Sequence, residues 1–538
     1  MADQQEIAFD ESAVPGSEIE PDESSEEEPE REPDENAEWE GEYGRAGCPI
    51  WMDSYGNLGC GRKLHEAPDG ADEKPVCLMH SKDPRKQSEP LFDEFWLEFE
   101  RILEAAGEGA AHFERFVFPE LDLSGREFQA ICRFDGATFT QDADFSSATF
   151  MRDANFSRAT FTQIAIFHWT TFTQEADFSS TTFMRKAGFI DASFTQNAIF
   201  IFASFTQNAV FIGATFTQIA VFHWTTFTQH ANFIGATFTQ AANFCDTKFH
   251  GTADWCECRF LDQVEFRRTE FDPQIPEEPN AVFVLANFSK PGEVVFDDVD
   301  LSRTLFNNCD VSQVWFSSSV RWAKRDGNRG LAVFEETIPL KQEYGRGLRR
   351  DGQRDYRALA QIYQQLKKNY DSRLDYWTAD EFHFGEMEMK RLAGPTDGPL
   401  LWLRQWFHRK LSLVALYRHA SDYGNSYTKP GLLLLGILVL FAALFPLPGV
   451  GLKRQGARQP ETYASVWRAG DGWTPNLWAE ARLAGKGAIT SVDAATFQKS
   501  AEYAPAYPGG RVMGIVETLL TSTLFALFLL AIRRQFRR

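Results

Sequence analysis

The 538-residue sequence predicts a mainly β chain: a solenoid of square coils, then a helical hairpin, then a two-helix transmembrane region. Three observations carry this. An aromatic residue recurs every five or six positions through the middle of the chain. The period turns helical after Asp355, and two long apolar runs lie near the C-terminus.

Composition sets the bounds. There are 49 Phe against 13 Tyr and 14 Trp, so Phe is used at fixed positions. With 43% apolar and 24% charged residues, most of the chain folds. Eight Cys over this length exclude a disulfide-dense secreted scaffold. The net charge of −22 is local: residues 1–44 hold 18 Asp and Glu against one Arg, leaving −5 for the rest. A body-wide basic patch is excluded, and no nucleic-acid partner is expected.

Residues 1–44 lack the basic start and apolar stretch of a secretory signal. Low hydrophobicity and like charge cannot offset the entropy of ordering, so a disordered acidic tail is predicted. The segment that follows it is expected in the cytoplasm.

Residues 45–90 form a Cys/His knuckle. Cys48, Cys60, Cys77 and His80 have the spacing C-x11-C-x16-C-x2-H. Thiolate and imidazole suit tetrahedral zinc, and C-x2-H sets two ligands on one turn. Apolar residues are too few here for a core, so metal would supply folding energy in a closed, structural site. His65 is a spare candidate. A helical linker, 91–117, follows, with Phe92, Phe95, Phe99 and Ile102 at helical spacing.

The solenoid is assigned to 118–320. From Phe134 to Phe271 aromatics step by 5, 6, 5, 6 without a slip, including Phe145, Phe150, Phe156, Phe161, Phe200 and Phe205; one is Trp255. A small residue, such as Ala143 or Ala154, sits two positions before nearly every one. A period-2 pair repeated at this interval is a short strand with two inward side chains, then a corner. Four faces close a coil of 22 residues, each coil burying its face only against its neighbours. ATFTQIAIFHWTTFTQ from Ala159 recurs as ATFTQIAVFHWTTFTQ from Ala214, so the half-coil is the copied unit.

The segments ADFSS, ANFSR and ANFIG resemble the pentapeptide-repeat family, whose fold is a right-handed quadrilateral β-helix. The match runs from about Leu123 to Phe316. After an interruption at DPQIPEEPN, strict fives return at Phe296, Leu301, Phe306, Val311 and Phe316. An extra residue in alternate repeats departs from the simplest family pattern. The family's DNA mimicry needs a densely acidic wall, whereas Asp191 is the only Asp, Glu, Lys or Arg between Ala187 and Cys245. The pairs His168/Trp169 and His223/Trp224 read as corner packing or as an exposed sticky patch. The Cys48–His80 stretch also resembles modules that precede the repeats in some bacterial members.

Residues 351–397 predict a helical hairpin, from Tyr356, Leu359, Tyr363, Leu366 and Tyr370 and then LDYWTADEFHFGEMEMKRL. The pair resembles the segment after the repeats of membrane-associated members. Asp380, His383 and Glu386 share a face at i, i+3, i+6, loosely like a carboxylate–His metal face, but with no second matching helix they read as a solvated one. Residues 400–429 mix Trp402, Trp406 and Phe407 with Arg404, Arg409 and Lys410, an interfacial pattern. In 430–538, the runs Gly431–Leu447 and Val512–Ile532 are read as transmembrane helices around an extracytoplasmic loop, 448–511. Five Lys/Arg between Leu400 and Lys429 and four after Ile532 place both flanks in the cytoplasm. The second run resembles the inner helix of two-span cation channels, but no TVGYG-like filter precedes it. Glu517 reads either as an intramembrane functional residue or, preferred here, as one near the outer interface and solvated.

No catalytic constellation appears. The chain reads as a non-catalytic, membrane-anchored scaffold presenting a cytoplasmic β-helix, multi-pass in a bacterial inner membrane with both termini cytoplasmic. The alternative is a two-span oligomeric ion channel or membrane sensor regulated by the solenoid. Expected partners are the lipid bilayer and an unidentified protein, with homo-oligomers allowed, and the expected cofactor is structural zinc.

Overall fold

The computed structural model describes residues 47–50, 59–272, 278–325, 330–337, 355–395, 399–448, 450–454, 459–464, 477–496 and 503–536. The acidic tail, 1–44, residues 45–46 and 51–58 of the knuckle segment, and residues 351–354 and 396–397 of the hairpin segment lie outside them.

Strands of mostly two residues stack into four parallel sheets of 10, 8, 9 and 8 strands. Pairing runs from each residue to the one 22 later: Ala143 on Ala165, Phe150 on Phe172, Ala154 on Ala176, Phe161 on Phe183. Each inward Phe therefore stacks on its copy one coil away. Phe145 and Phe167 are 4.9 Å apart at 2°, and Phe178 and Phe200 5.0 Å apart at 4°. Phe145, Phe150, Phe156, Phe161, Phe200 and Phe205 are all fully or almost fully buried. The small inward residue is usually Ala; where it is Thr the hydroxyl is spent locally, as Thr170 Oγ1 donates to Phe145 O at 2.7 Å. Buried polar groups need such partners.

The two kinds of corner explain the alternation of five and six. Left-handed residues recur every 11 positions, at 125, 136, 147, 158 and so on to 268, and all fall in the five-residue corners. In the corner after Phe145, Ala148 N donates to Phe145 O at 3.0 Å across Ser147, φ 57°. A turn with φ > 0 at its third residue is type II. The extra residue lies in the other two corners. Past the interruption the coil shortens: Phe296 pairs Phe316, 20 residues on, so the strict fives close a coil without it.

Helices close both ends. At the start, α1 (Leu91–Ala106) lays Phe99 on Phe113 at 4.6 Å and Phe95 against Phe118 at 5.5 Å. The first strand, Ala110–His112, lies inside the segment expected to be helical linker, because Gly107 (φ 54°) ends α1 early. At the far end, the one-turn helix α2 (Phe334–Thr337) precedes the hairpin of α3 (Tyr356–Ser372) and α4 (Tyr376–Leu392). Polar side chains of α3 meet the last coil's open backbone. Asn369 Nδ2 donates to Val311 O and Val314 O at 2.8 and 2.7 Å, and Arg373 donates to Phe316 O at 2.7 Å. Unpaired strand edges are otherwise templates for aggregation.

The expected interfacial helix is two: α5 (Leu401–Leu411) and α6 (Leu413–Ser421), broken at Ser412, whose hydroxyl caps Ala415 N. Next come α7 (Thr428–Leu444), α8 (Leu477–Ala495) and α9 (Pro508–Phe536). Among the described residues one single helix, Pro508–Arg534, is long and apolar enough to cross a membrane; α7 passes that test only together with the helical segment before it, bent by 117°. The 448–511 segment, expected to be a loop, contains α8, which packs on both α7 and α9. Glu517 is buried there against Ser491, which overturns the preferred, solvated reading of this residue. Sequence patterning misses both points because α8 holds Glu480, Arg482, Lys486 and Asp493, and so shows no long apolar run.

Candidate functional site

The knuckle brings Cys48, Cys60, Cys77 and His80 together, with ligand atoms all within 4.8 Å of one another. Two antiparallel segments supply the first two: Cys48 N donates to Arg62 O at 2.8 Å and Cys60 N to Ile50 O at 2.9 Å. They approach so closely that a Cβ on Gly47 would lie 2.7 Å from Gly61 O, and Gly61 itself has φ 58°. One turn supplies the others, since His80 N donates to Cys77 O at 3.1 Å.

Cys60 and Cys77 Sγ are 3.6 Å apart, and His80 Nδ1 lies 3.2 Å from Cys77 Sγ and 3.5 Å from Cys48 Sγ. Ligands at about 2.0–2.3 Å from one ion would be separated by roughly 3.3–3.8 Å, so the set fits a tetrahedral metal. Nδ1 faces the thiols, while Nε2 meets Glu114 O at 3.2 Å and fixes the ring. Hydrogen bonds from Cys48 and then Cys77 hold the Cys60 thiol far below its ordinary range, and those from Cys48 and Cys60 push Cys77 up. Burial opposes a charged His80, yet bonds to Cys48 and Cys60 raise it to about 9.

Sequence reasoning missed Arg62. Its guanidinium donates to Cys60 Sγ at 3.4 Å and to Glu98 on α1 at 3.0 Å. Three thiolates and a neutral imidazole would leave a bound divalent ion at −1, and Arg62 would supply the opposing charge. It also ties the cluster to the cap. Buried Lys86 does the same nearby, donating to Ser81 O and Val117 O and lying 4.7 Å from the Phe95 ring centre. His65 is no ligand: its Nε2 is 2.8 Å from Asp83 Oδ2.

The other candidates separate. Asp380 and Glu386, expected on a solvated face, are buried instead: Asp380 binds Arg534 and Glu386 pairs with Lys390 and Lys367, so that face is a charge network packed against other helices. The two His/Trp pairs sit 55 residues apart, two and a half coils, and so lie on opposite corners rather than in one patch. Trp224 instead stacks on Phe202 of the preceding coil at 4.7 Å and on His223 at 3.8 Å. Phe202 and Trp224 are about half exposed and both have φ > 0, an uncommon conformation for bulky side chains.

A chain of stacked parallel coils with helical caps at each end is a repeat solenoid protein. A family model described as pentapeptide repeats matches residues 123–168 and 203–247 in nine copies, and the solenoid is built of pentapeptide repeats. Neither the curated proteins nor the solved structures gave a significant match.

Proposed function

We propose that this protein is a non-catalytic scaffold anchored in a bacterial inner membrane, with a cytoplasmic β-helix that presents a binding surface. The observation that carries this reading is the join between solenoid and apolar helix. Arg534, in the last turn of α9, donates to Asp380 on the capping helix α4 and to Tyr423 O at 3.0 Å. Glu388 on α4 also binds Arg418 of α6 and the Tyr423 hydroxyl, both at 2.9 Å. The solenoid is thereby held to the basic end of α9, which charge asymmetry assigns to the cytoplasm. Both α7 and α9 span in this reading, and structural zinc fills the cluster. The stacked Phe202 and Trp224 are the preferred contact for a protein partner. Crosslinking of the detergent-solubilised full chain tests it. Phe202→Ser/Trp224→Ser should lose the partner captured by the wild type, and equal capture would refute the surface.

A second reading, a two-span oligomeric channel or sensor regulated by the solenoid, is favoured by one observation: α8 packs against both α7 and α9. Ion conductance of the purified chain in lipid bilayers tests it.

A further inference from the structure

Three contacts fix the depth of α8. Gly431 of α7 lies beside Phe528 of α9, so these helices run antiparallel. A Cβ on Gly487 would lie 2.1 Å from Ala442 O, placing Gly487 beside the far end of α7. Four residues on, Ser491 donates to Leu438 O at 3.1 Å and to the Glu517 carboxylate, and Ala494 O accepts from Thr518 Oγ1 at 2.9 Å. Hence α8 enters from the end away from Arg534 and stops about halfway along α7. Residues 487–495 descend roughly 12 Å at about 1.5 Å per residue. The charges follow this depth: Glu480, Arg482 and Lys486 precede the descent, and Gly487–Val492 is uncharged.

A helix ending inside the bilayer cannot face lipid there, because its terminal carbonyls and polar groups need partners or water. Thr518 and Thr496 take some of these carbonyls, yet the end still carries Asp493, half-buried, and Thr496, exposed, with Ile489 and Val492 on an uncovered face. A helix C-terminus bears partial negative charge, and Asp493 adds a full one. Beside it, Glu517 is fully buried, and its Oε2 has no hydrogen-bond partner among the described residues. Intramembrane acids of this kind mark ion pathways, and half-helix C-termini coordinate cations.

We infer that the C-terminal end of α8 lines a water-filled, cation-selective path completed by further copies of this chain, with Asp493 as its selectivity-determining charge. The inference rests on the channel reading and names its ion class, its lining and its missing partner. Glu517 and Ser491 are positioning residues that hold α8 at depth.

The test is flux from vesicles of 3:1 phosphatidylethanolamine and phosphatidylglycerol containing the full chain, under a gradient of KCl balanced osmotically with sorbitol, so that cation and chloride permeation are read against each other. Wild type should pass cations in preference to chloride, and Asp493→Asn should move that ratio toward one while Asp493→Glu keeps it. Loss of all flux in Asp493→Asn, restored in Asp493→Glu, also supports the assignment; loss in both overturns it. Selective wild-type flux with unchanged selectivity in Asp493→Asn overturns the lining and leaves the channel reading standing. Wild-type flux without selectivity for cations overturns the inference. No wild-type flux overturns both.

Discussion

Arg534 and Asp380, 154 residues apart, form an ion pair that joins the last turn of the apolar helix α9 to the helix capping the solenoid. Both side chains are largely shielded, so the pair acts as a fixed coupling. Asp380→Asn should lower the stability of that junction by about 2 kcal/mol, the scale of a lost charge-assisted hydrogen bond. Thermal unfolding in detergent, read beside an exposed control such as Thr195→Asn, checks this. Equal melting temperatures would show that the pair carries no load.

The full chain should hold about one zinc per molecule, lost by Cys77→Ser/His80→Ala. Acidification should release it, since every ligand must be deprotonated to bind. Chelation should open residues 47–86 to protease while the circular dichroism of the solenoid persists, because coil contacts are nearest-neighbour. A metal-free wild type would remove the assignment.

Phe200→Asp should destabilise far more than Thr195→Asp. Phe200 stacks between Phe178 and Phe222, and a buried unpaired carboxylate costs several kcal/mol. Thr195 is exposed at a corner. Similar melts for the two variants would contradict the facing.

Glu335 is buried at the end of the solenoid and accepts from Phe306 N at 2.6 Å; burial pushes its carboxyl up from 4.5 to about 7. Between these values the folded chain holds the proton that the unfolded chain releases. Its contribution is therefore complete below about pH 4.5 and is lost as pH rises to about 7. Glu335→Gln should abolish that part of the slope of melting temperature against pH, keeping an acceptor for Phe306 N. Parallel pH profiles would count against it.

Topology has a simple readout. All eight cysteines lie at or before residue 309, so the wild type should resist a membrane-impermeant thiol reagent in intact cells. Lys453→Cys, an exposed position beyond α7, should react. Labelling of the wild type without added labelling of Lys453→Cys would invert the protein.

The solenoid was legible in the sequence because its contacts repeat at one offset: whatever stands at Phe145 meets Phe167. Periodicity is then equivalent to tertiary structure, and the coil length, the inward Phe and the return to strict fives follow from spacing alone. Cys48, Cys60, Cys77 and His80 were legible as a set because donor chemistry and a C-x2-H turn are local, whereas Arg62 was not, its role depending on Glu98 across the fold.

At the C-terminal end the tertiary structure decided more. Composition identified the apolar helix α9, since length and apolarity sufficient to cross a membrane depend on the helix itself. The position of α8 along α7 and the burial of Glu517 depend instead on Gly487 meeting Ala442 and on Ser491 meeting two helices at once. Such pairings have no period and no fixed spacing. Only the packed chain chooses among them, because each carboxylate and hydroxyl has several partners of equal chemistry and only the fold brings one within reach.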